Sequence, residues 1–181
     1  MHLHVFGLNH KSAPIEVRER ISFSCHNLAS GLSLLKQYDS IEESLILSTC
    51  NRVEIYALVS DAKAGLLSIQ RFISDFHQVE ESYFKKHFYS FYGVDALKHL
   101  FRVVSSLDSM VVGETQIFGQ VKDAYQKAKE LKCAQGALSR IFEQSLRIGK
   151  KARAETQIGK GAVSISSAAI ELAKKTFKSF K

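Results

Sequence analysis

The sequence contains little that would cross-link it or place it in a membrane. Its three cysteines are far apart and form no CxxC pair, which argues against a disulfide framework and a cysteine-based zinc site. The histidines show no metal-ligand spacing, and no apolar run approaches the roughly 20 residues that cross a bilayer. The first residues lack the pattern of a secretory signal. We therefore expect a cytoplasmic, soluble protein with reduced thiols and no metal.

The chain also lacks sequence that would link separate domains. It has a single proline, no Gly/Ser-rich tract, no internal repeat and no low-complexity segment. Apolar residues make up 45% of the 181 residues, which is enough for a packed core. One domain followed by an extension is the expected organisation.

Excess positive charge is confined to the last quarter of the chain. Residues 1–139 carry 15 Lys and Arg against 15 Asp and Glu, whereas residues 140–181 carry 10 against 3. Such a patch attracts a phosphate backbone, and a generic basic RNA-binding domain is one function that it allows. The same charges fit a solvated helix face equally well.

The first half of the chain alternates between two apolar periodicities. Extended runs and segments of helical spacing follow one another at 3–9, 27–38, 44–49, 53–60, 61–76 and 87–92. Pro14 allows a short additional helix over 15–21. The order strand, helix, strand, strand, helix, strand predicts an α+β fold, a ferredoxin-like split βαβ sheet with helices on one face.

After Gly93 the pattern becomes helical and predicts a helical subdomain. A core stripe is predicted at Leu97, Leu100, Phe101, Val104 and Leu107. His99 would then lie roughly opposite that stripe. Further helices are predicted over 114–132, 138–155 and 162–177.

These patterns predict one domain and an extension. The domain is expected to cover 1–155, divided into a ferredoxin-like part (1–92) and a helical part (93–155). A connecting segment, 156–181, would contain the start of a long helix.

The most informative stretch, residues 47–54, reads LSTCNRVE. Cys50 lies in a three-residue connection between two predicted strands, which would hold it on a rigid and accessible edge. Arg52 is a cation two positions away that favours a thiolate and can also bind a substrate carboxylate through two hydrogen bonds. From spacing alone, a nucleophile and a turn cysteine that merely packs both remain open.

Four long motifs, in order along the chain, resemble the glutamyl-tRNA reductase family. STCNRVEIY (48–56) resembles its signature, and GLNHKSAPIEVRE (7–19) resembles its opening. SSLDSMVVGETQIFGQVKDAY (105–125) resembles its central motif. KARAETQIGKGAVSISSAAIELAKK (151–175) resembles the segment that leads to its cofactor domain. The resemblance covers most of the chain and implies the N-terminal catalytic part of such an enzyme, ending before the NADPH-binding domain.

The resemblance implies NADPH-dependent reduction of glutamyl-tRNA(Glu) to glutamate-1-semialdehyde, the first step of tRNA-dependent tetrapyrrole biosynthesis. Cys50 would attack the ester, expel the tRNA and hold a glutamyl thioester for reduction, so that one hard step becomes two easier ones. NADPH would bind to the absent domain, and this chain alone would only form and hydrolyse the thioester. A full-length member is expected to be a homodimer and this chain a monomer.

The resemblance also implies the site. Cys50 would be the nucleophile, and His99 would assist proton transfer or orient the reacting carbonyl. Substrate binding is implied at Thr49, Cys50, Asn51, Arg52, Ser109, Glu114, Thr115, Gln116 and Gln120. From charge, Glu114 would face the ammonium of glutamate and Arg52 a carboxylate. Arg18, Arg20 and the basic segment 140–181 are candidates for contact with the tRNA.

Two further interpretations bear on function. Gly159-Lys160-Gly161 resembles a dinucleotide-binding loop, but Ser164 stands where the third glycine belongs and no apolar strand precedes it, so a hinge is predicted instead. The alternative to the enzyme is a non-catalytic module of the same fold that binds tRNA or a partner and does not use Cys50.

Overall fold

A computed structural model describes residues 1–159 and 165–176 of the chain. In chain order the described elements are β1 (His2–Asn9), α1 (Ile15–Arg20), α2 (Leu28–Leu35), β2 (Ile41–Ser48), β3 (Arg52–Val59), α3 (Ala62–His77), α4 (Glu81–Phe84), β4 (Tyr89–Tyr92), α5 (Val94–Val104), α6 (Gln116–Glu130), α7 (Ala137–Glu155) and α8 (Ile165–Thr176). Short 3₁₀ turns precede β4 and follow α7, at Lys85–His87 and Gln157–Gly159.

The four strands form one antiparallel sheet in the order β2-β3-β1-β4. β2 and β3 form a hairpin, and β1 lies between β3 and β4. Because a helix separates each pair of parallel strands and another strand lies between them, this is the split βαβ arrangement. The predicted α+β, ferredoxin-like fold is confirmed.

Helices cover both faces of this sheet. Successive side chains of a strand point to opposite faces, and all eight residues of β3 are buried. On one face Val59 contacts Gly65 of α3, and on the other the Tyr56 ring meets Phe142 of α7 edge-on, with centroids 5.3 Å apart. The sequence predicted helices on one face of the sheet only. Helices α2 and α3 lie on that face, but α5, α6 and α7 pack on the opposite one.

The core stripe predicted for α5 is confirmed at Leu100 and Val104 but is wrong in its direction around the helix. The buried residues of this helix are Ala96, His99, Leu100, Val103 and Val104. The helix ends at Val104, and Leu107 lies beyond it with 46% of its surface exposed. His99 therefore faces the interior. A hydropathy pattern counts histidine as polar and therefore predicts an exposed position. It cannot predict that His99 is buried because its ring is hydrogen-bonded to the buried Glu54.

The predicted domain limits, 1–155 and 156–181, remain predictions. Helix α7 ends at Glu155, where the predicted connecting segment begins. The predicted glycine hinge lies partly outside the described residues, which resume with α8. None of the helices in the described ranges is long and apolar enough to cross a membrane.

Candidate active site

Cys50 lies at the tip of the β2–β3 hairpin. The backbone N–H of Thr49 donates to the carbonyl of Arg52 at 2.8 Å, which leaves Cys50 and Asn51 as the central residues of the turn. The Thr49 hydroxyl accepts from the backbone N–H groups of Asn51 (3.2 Å) and Arg52 (3.1 Å). These bonds fix the turn through backbone atoms, while the Cys50 residue itself is exposed.

The other two cysteines differ in environment. Cys25 is exposed, whereas Cys133 is buried and its thiol lies 3.8 Å from the carbonyl oxygen of Leu32. Burial raises the pKa of the Cys133 thiol. Cys133 is therefore a core cysteine, and Cys25 is the exposed cysteine against which Cys50 can be compared.

A buried ion network centred on Glu54 lies behind the hairpin. Its Oε1 accepts from Arg52 Nη1 at 2.6 Å, the Tyr89 hydroxyl at 2.5 Å and His99 Nε2 at 2.8 Å. Its Oε2 accepts from the Tyr56 hydroxyl at 2.5 Å. Burial alone raises the pKa of Glu54, but Arg52 and the hydrogen bonds from His99 and Tyr56 outweigh it and hold that pKa well below its usual range. A fully buried carboxylate is thus kept charged.

The two tyrosines of the network act as fixed donors. Burial, followed by the charge of Glu54, raises the pKa of Tyr56 and Tyr89 well above the usual range. Their hydroxyls therefore keep the protons that they donate to the carboxylate.

Arg52 connects this network to the loop after α5. Its Nη2 donates to the carbonyl oxygen of Asp108 at 2.7 Å and to its Oδ2 at 3.1 Å. Asp108 also accepts from Lys11 Nζ at 2.9 Å and Asn9 Nδ2 at 3.3 Å. The Arg52 guanidinium binds two protein carboxylates and one carbonyl oxygen through three of its five N–H donors. Its predicted contact with a substrate carboxylate would use a remaining donor or one released from these bonds.

Besides the predicted Arg52, the structure places a second cation at the Cys50 turn. Nη1 of Arg18, on α1, donates to the carbonyl oxygen of Cys50. Arg18 was predicted only as a candidate for contact with tRNA. Its position next to the turn depends on how α1 returns over the β2–β3 hairpin, which no local motif encodes.

His99 joins the network to a cavity of about 420 Å³ that Asn9 and Asp108 also line. Its ring stacks on Phe91 with centroids 4.7 Å apart. Since Nε2 faces an ionised carboxylate, that nitrogen carries a proton. The histidine is therefore held in one orientation by Glu54.

The central motif supplies the remaining predicted substrate positions. Ser109 is buried, and its hydroxyl has no partner among the described residues. Glu114 is also buried, and its carbonyl oxygen accepts from Arg153 Nη1 at 3.0 Å. Thr115 and Gln116 are exposed at the start of α6.

The predicted site residues line separate cavities in this structure. Thr49 and Cys50 border a cavity of about 340 Å³, and His99 borders the cavity described above. Gln120 borders a third cavity, of about 450 Å³, together with Ser48 and Cys25. Ser48 lines both the first and the third, so these two are neighbours at the end of β2. The substrate-binding set therefore remains a prediction from family resemblance.

The basic segment predicted for tRNA contact contributes to a groove between α6 and α7. Lys122, Arg147, Lys150 and Arg153 line it, with Phe118 among its apolar walls. Arg153 is also used inside the protein, as the donor to the Glu114 carbonyl oxygen. Contact with tRNA along this groove remains a prediction.

Comparison with known proteins adds the family to this geometry. The family model described as "Glutamyl-tRNAGlu reductase, N-terminal domain" matches residues 6–156. The chain belongs to the glutamyl-tRNA reductase family.

Curated relatives and a solved structure agree with this assignment. The glutamyl-tRNA reductase of Carboxydothermus hydrogenoformans is 48% identical over 181 residues, which are 100% of this chain and 40% of that protein. The Bacillus subtilis glutamyl-tRNA reductase is 47% identical over 178 residues, 98% of this chain and 39% of that protein. A solved structure, glutamyl-tRNA reductase from Methanopyrus kandleri, superposes with a TM-score of 0.74 at 36% identity, covering 98% of this chain and 41% of that one. The chain thus spans about 40% of the length of these glutamyl-tRNA reductases.

The described residues do not form a Rossmann-type dinucleotide site, in agreement with the expectation that NADPH binds outside this chain. Such a site has a parallel strand, a glycine-rich loop and a helix, whereas this sheet is antiparallel throughout. Gly159 is the last residue of the 3₁₀ turn that follows α7, so no strand precedes it. Within residues 1–159 and 165–176, no three His, Cys, Asp or Glu side chains are grouped as metal ligands would be. The expectation that the chain binds no metal stays a prediction.

The acidic network was missed in the sequence, although a signal was present. Glu54 lies inside VEIYALVS, an otherwise apolar strand, and a lone carboxylate in such a strand needs a buried partner. Its donors come from β3, β4 and α5, which are separated by up to 45 positions. Only the folded sheet brings them together.

Proposed function

We propose that this chain carries the acyl-transfer step of a glutamyl-tRNA reductase, with Cys50 as the nucleophile. The observation that carries the proposal is the placement of Cys50, an exposed cysteine on a turn that is fixed by backbone hydrogen bonds. Relatives named glutamyl-tRNA reductase, which align with the whole chain, support glutamyl-tRNA as the acyl donor.

The chemistry needs no cofactor up to the thioester. Cys50 Sγ forms a bond to the acyl carbon, the bond from that carbon to the ribose oxygen of the tRNA breaks, and the ribose oxygen takes the proton that the thiol gave up. A rigid turn lowers the entropy that would be lost in aligning sulfur with the carbonyl. The thioester is a better hydride acceptor than the oxygen ester, because sulfur donates less electron density to the carbonyl.

His99 is the proposed assistant in this step. Its Nε2 is engaged with Glu54, so Nδ1 is the nitrogen left to orient the carbonyl or move a proton. We further propose that Thr49, Asn51, Arg52 and the central-motif positions bind the glutamyl group, with Arg52 exchanging one of its internal bonds for a substrate carboxylate.

The remainder of the activity is proposed for a longer protein. There, NADPH would reduce the thioester to glutamate-1-semialdehyde, the first step of tRNA-dependent tetrapyrrole biosynthesis, in a cytoplasmic homodimer. We assign NADPH binding to the length of the relatives that this chain does not span, and to none of the described residues.

The test uses glutamyl-tRNA(Glu) that is radiolabelled in the glutamate. The protein is incubated with it and quenched in acid, and label retained on protein is measured for wild type and Cys50→Ser. Cys25→Ser is the matched control, because Cys25 is also exposed. Label that is lost only in Cys50→Ser and is released by hydroxylamine is the expected result.

Absence of label has a separate meaning. If wild type binds the charged tRNA but neither retains label nor releases free glutamate faster than Cys50→Ser does, the chain acts as a non-catalytic module of the same fold. If label persists in Cys50→Ser, the nucleophile is assigned to the wrong residue.

A further inference from the structure

The cavity beside Cys50 is distinct from the one that His99 lines. It measures about 340 Å³, within the range of small-ligand sites at roughly 300–1,000 Å³. Its walls come from α1, the residues just after α1, and the hairpin, namely Ile15, Arg18, Glu19, Ser22, Phe23, Ser48, Thr49 and Cys50. None of them belongs to the central motif, in which most of the predicted glutamate-binding positions lie.

Arg18 is the cation of this cavity. Its Nη1 is bonded to the Cys50 carbonyl oxygen, which ties the guanidinium to the residue that carries the nucleophile. Its Nε is shielded from solvent and has no partner among the described residues. Arg18 as a whole is partly exposed, and a guanidinium that lines a cavity is suited to a phosphate because its N–H groups pair with the phosphate oxygens.

The remaining walls suit a nucleoside. Ile15 is 52% exposed at the rim, and Phe23, which is 6% exposed and packs on Phe72 and Phe76, adds only a small apolar edge to the wall. Apolar and aromatic surfaces bind the flat face of a base without selecting its identity strongly. Glu19 and Cys50 are exposed at the same rim, so a ligand attached to a large molecule can enter from solvent.

In the substrate ester, the acyl group and the alcohol group extend in different directions from the carbonyl carbon that Cys50 attacks. The acyl side is the glutamyl group, and the alcohol side is the terminal ribose of the tRNA with its 5′-phosphate. A cavity that has an arginine and an apolar wall, and that opens to solvent, is complementary to the alcohol side.

We propose that the Cys50 cavity binds the 3′-terminal nucleotide of the tRNA, with Arg18 on its phosphate. This inference rests on the proposed function and assigns the leaving-group side of the same site. Arg18 thereby contacts the substrate and also holds the turn through the Cys50 carbonyl oxygen. The acyl transfer itself is the balanced step given above, and the departing ribose oxygen leaves from this cavity.

The test compares the affinities of two tRNAs for two proteins in a double-mutant cycle, and it does not depend on thioester formation. Uncharged tRNA(Glu) is compared with the same tRNA lacking its 3′-terminal adenosine, on wild type and Arg18→Gln. Wild type is expected to bind the intact tRNA roughly 10- to 100-fold more tightly, the value of one charge-assisted contact. Arg18→Gln is expected to bind both tRNAs with similar affinity, and Arg18→Lys to recover part of the preference.

Arg20→Gln is the matched control, because Arg20 lies on the same helix and its Nη2 contacts Gln78 rather than the hairpin. It is expected to keep the wild-type preference. The inference is overturned if wild type does not distinguish the two tRNAs, or if Arg18→Gln keeps the full preference.

A second arm separates binding from turn positioning. Acylation of Cys50 by glutamate 1-ethyl ester, which has no nucleotide, is measured beside acylation by glutamyl-tRNA. Because Arg18 also holds the turn, Arg18→Gln is expected to slow both reactions but the tRNA reaction by a further factor of roughly 10 to 100, and an equal loss with both donors would contradict the inference. If wild type is acylated by neither donor, the proposed function fails, while the binding cycle still decides whether the cavity takes the terminal nucleotide.

Discussion

Arg52 and Glu54, two residues apart on β3, form an ion pair at 2.6 Å with side chains that are only 2% and 0% exposed. Residues i and i+2 of a strand share one face, so both point toward α5 and α7. The pair continues through Arg52 to Asp108, and through Glu54 to His99. The strand that follows the Cys50 turn is therefore linked by ion pairs to α5 and to the loop after it.

Replacing Glu54 tests how much the buried ion network contributes to the free energy of unfolding. Glu54→Gln keeps the shape but removes the closer of the two carboxylates that neutralise the buried Arg52 guanidinium and leaves only Asp108, so the free energy of unfolding should fall by about 3–5 kcal/mol. Glu81→Gln is the control, since Glu81 pairs with Lys85 on the surface at 3.9 Å and should cost less than about 1 kcal/mol. Urea unfolding measures both. Similar small losses in the two variants would show that the buried network does not stabilise the fold.

Two glycines give an opposed pair of predictions. A Cβ on Gly149 of α7 would lie 2.9 Å from the carbonyl oxygen of Val104, whereas one on Gly119 of α6 would meet nothing within 4 Å in the described residues. Gly149→Ala should destabilise by about 1–3 kcal/mol through overpacking. Gly119→Ala should stabilise by about 0.5–1 kcal/mol through helix propensity. Thermal or urea unfolding checks the signs, and a neutral Gly149→Ala would contradict the close α5–α7 packing.

The lowered pKa of His77 should make the stability of the protein depend on pH. Burial, together with the nearby Arg20 charge, lowers the pKa of His77 to about 4. In the unfolded chain the value is about 6.5, so between pH 4 and 6.5 the unfolded state binds a proton that the folded state does not. Stability should therefore fall as the pH drops through this window.

The measurement is urea unfolding at pH 7 and pH 5 for wild type and His77→Leu. Wild type should lose on the order of 1–2 kcal/mol more than the variant between these two conditions. His4, whose pKa is also lowered by burial, is present in both proteins and cancels in the difference. Equal pH dependence in the two proteins would place the His77 ring in contact with solvent.

Thiol labelling of the native protein tests the exposure of the cysteines. Cys25 and Cys50 are exposed and Cys133 is buried, so two thiols should react quickly and the third only on unfolding. Cys133→Ala should leave the number of fast thiols unchanged. A third fast thiol in the wild-type protein would be inconsistent with the packing of Cys133 against α2.

Local sequence patterns were sufficient for most of the fold. The four strands and the longer helices of residues 1–159 lie close to where alternation and helical spacing predicted them, whereas α4 was not predicted, and the split βαβ order followed from their succession. The Cys50 turn could be predicted because two β-rich runs are separated by only three residues. Both covered faces of the sheet could have been predicted as well, since VEIYALVS is apolar on both sides apart from Glu54.

The site was predicted less completely, because its contacts are long-range. The predicted orientation of α5 was wrong at His99. This histidine is polar but lies in the interior because it is hydrogen-bonded to a buried carboxylate. The Arg18 contact with Cys50 spans 32 positions, and that between Arg52 and Asp108 spans 56. No periodicity encodes these pairings, which arise only when the hairpin, α1 and the loop after α5 pack together.

The central claim is that Cys50 accepts the glutamyl group. The most direct test is peptide mass spectrometry of the protein after brief incubation with glutamyl-tRNA(Glu) and acid quenching. We predict a glutamyl mass increment on the peptide that contains Cys50 and none on the peptide with Cys25, which is also exposed. An increment on Cys25, or one that survives in Cys50→Ser, would contradict it.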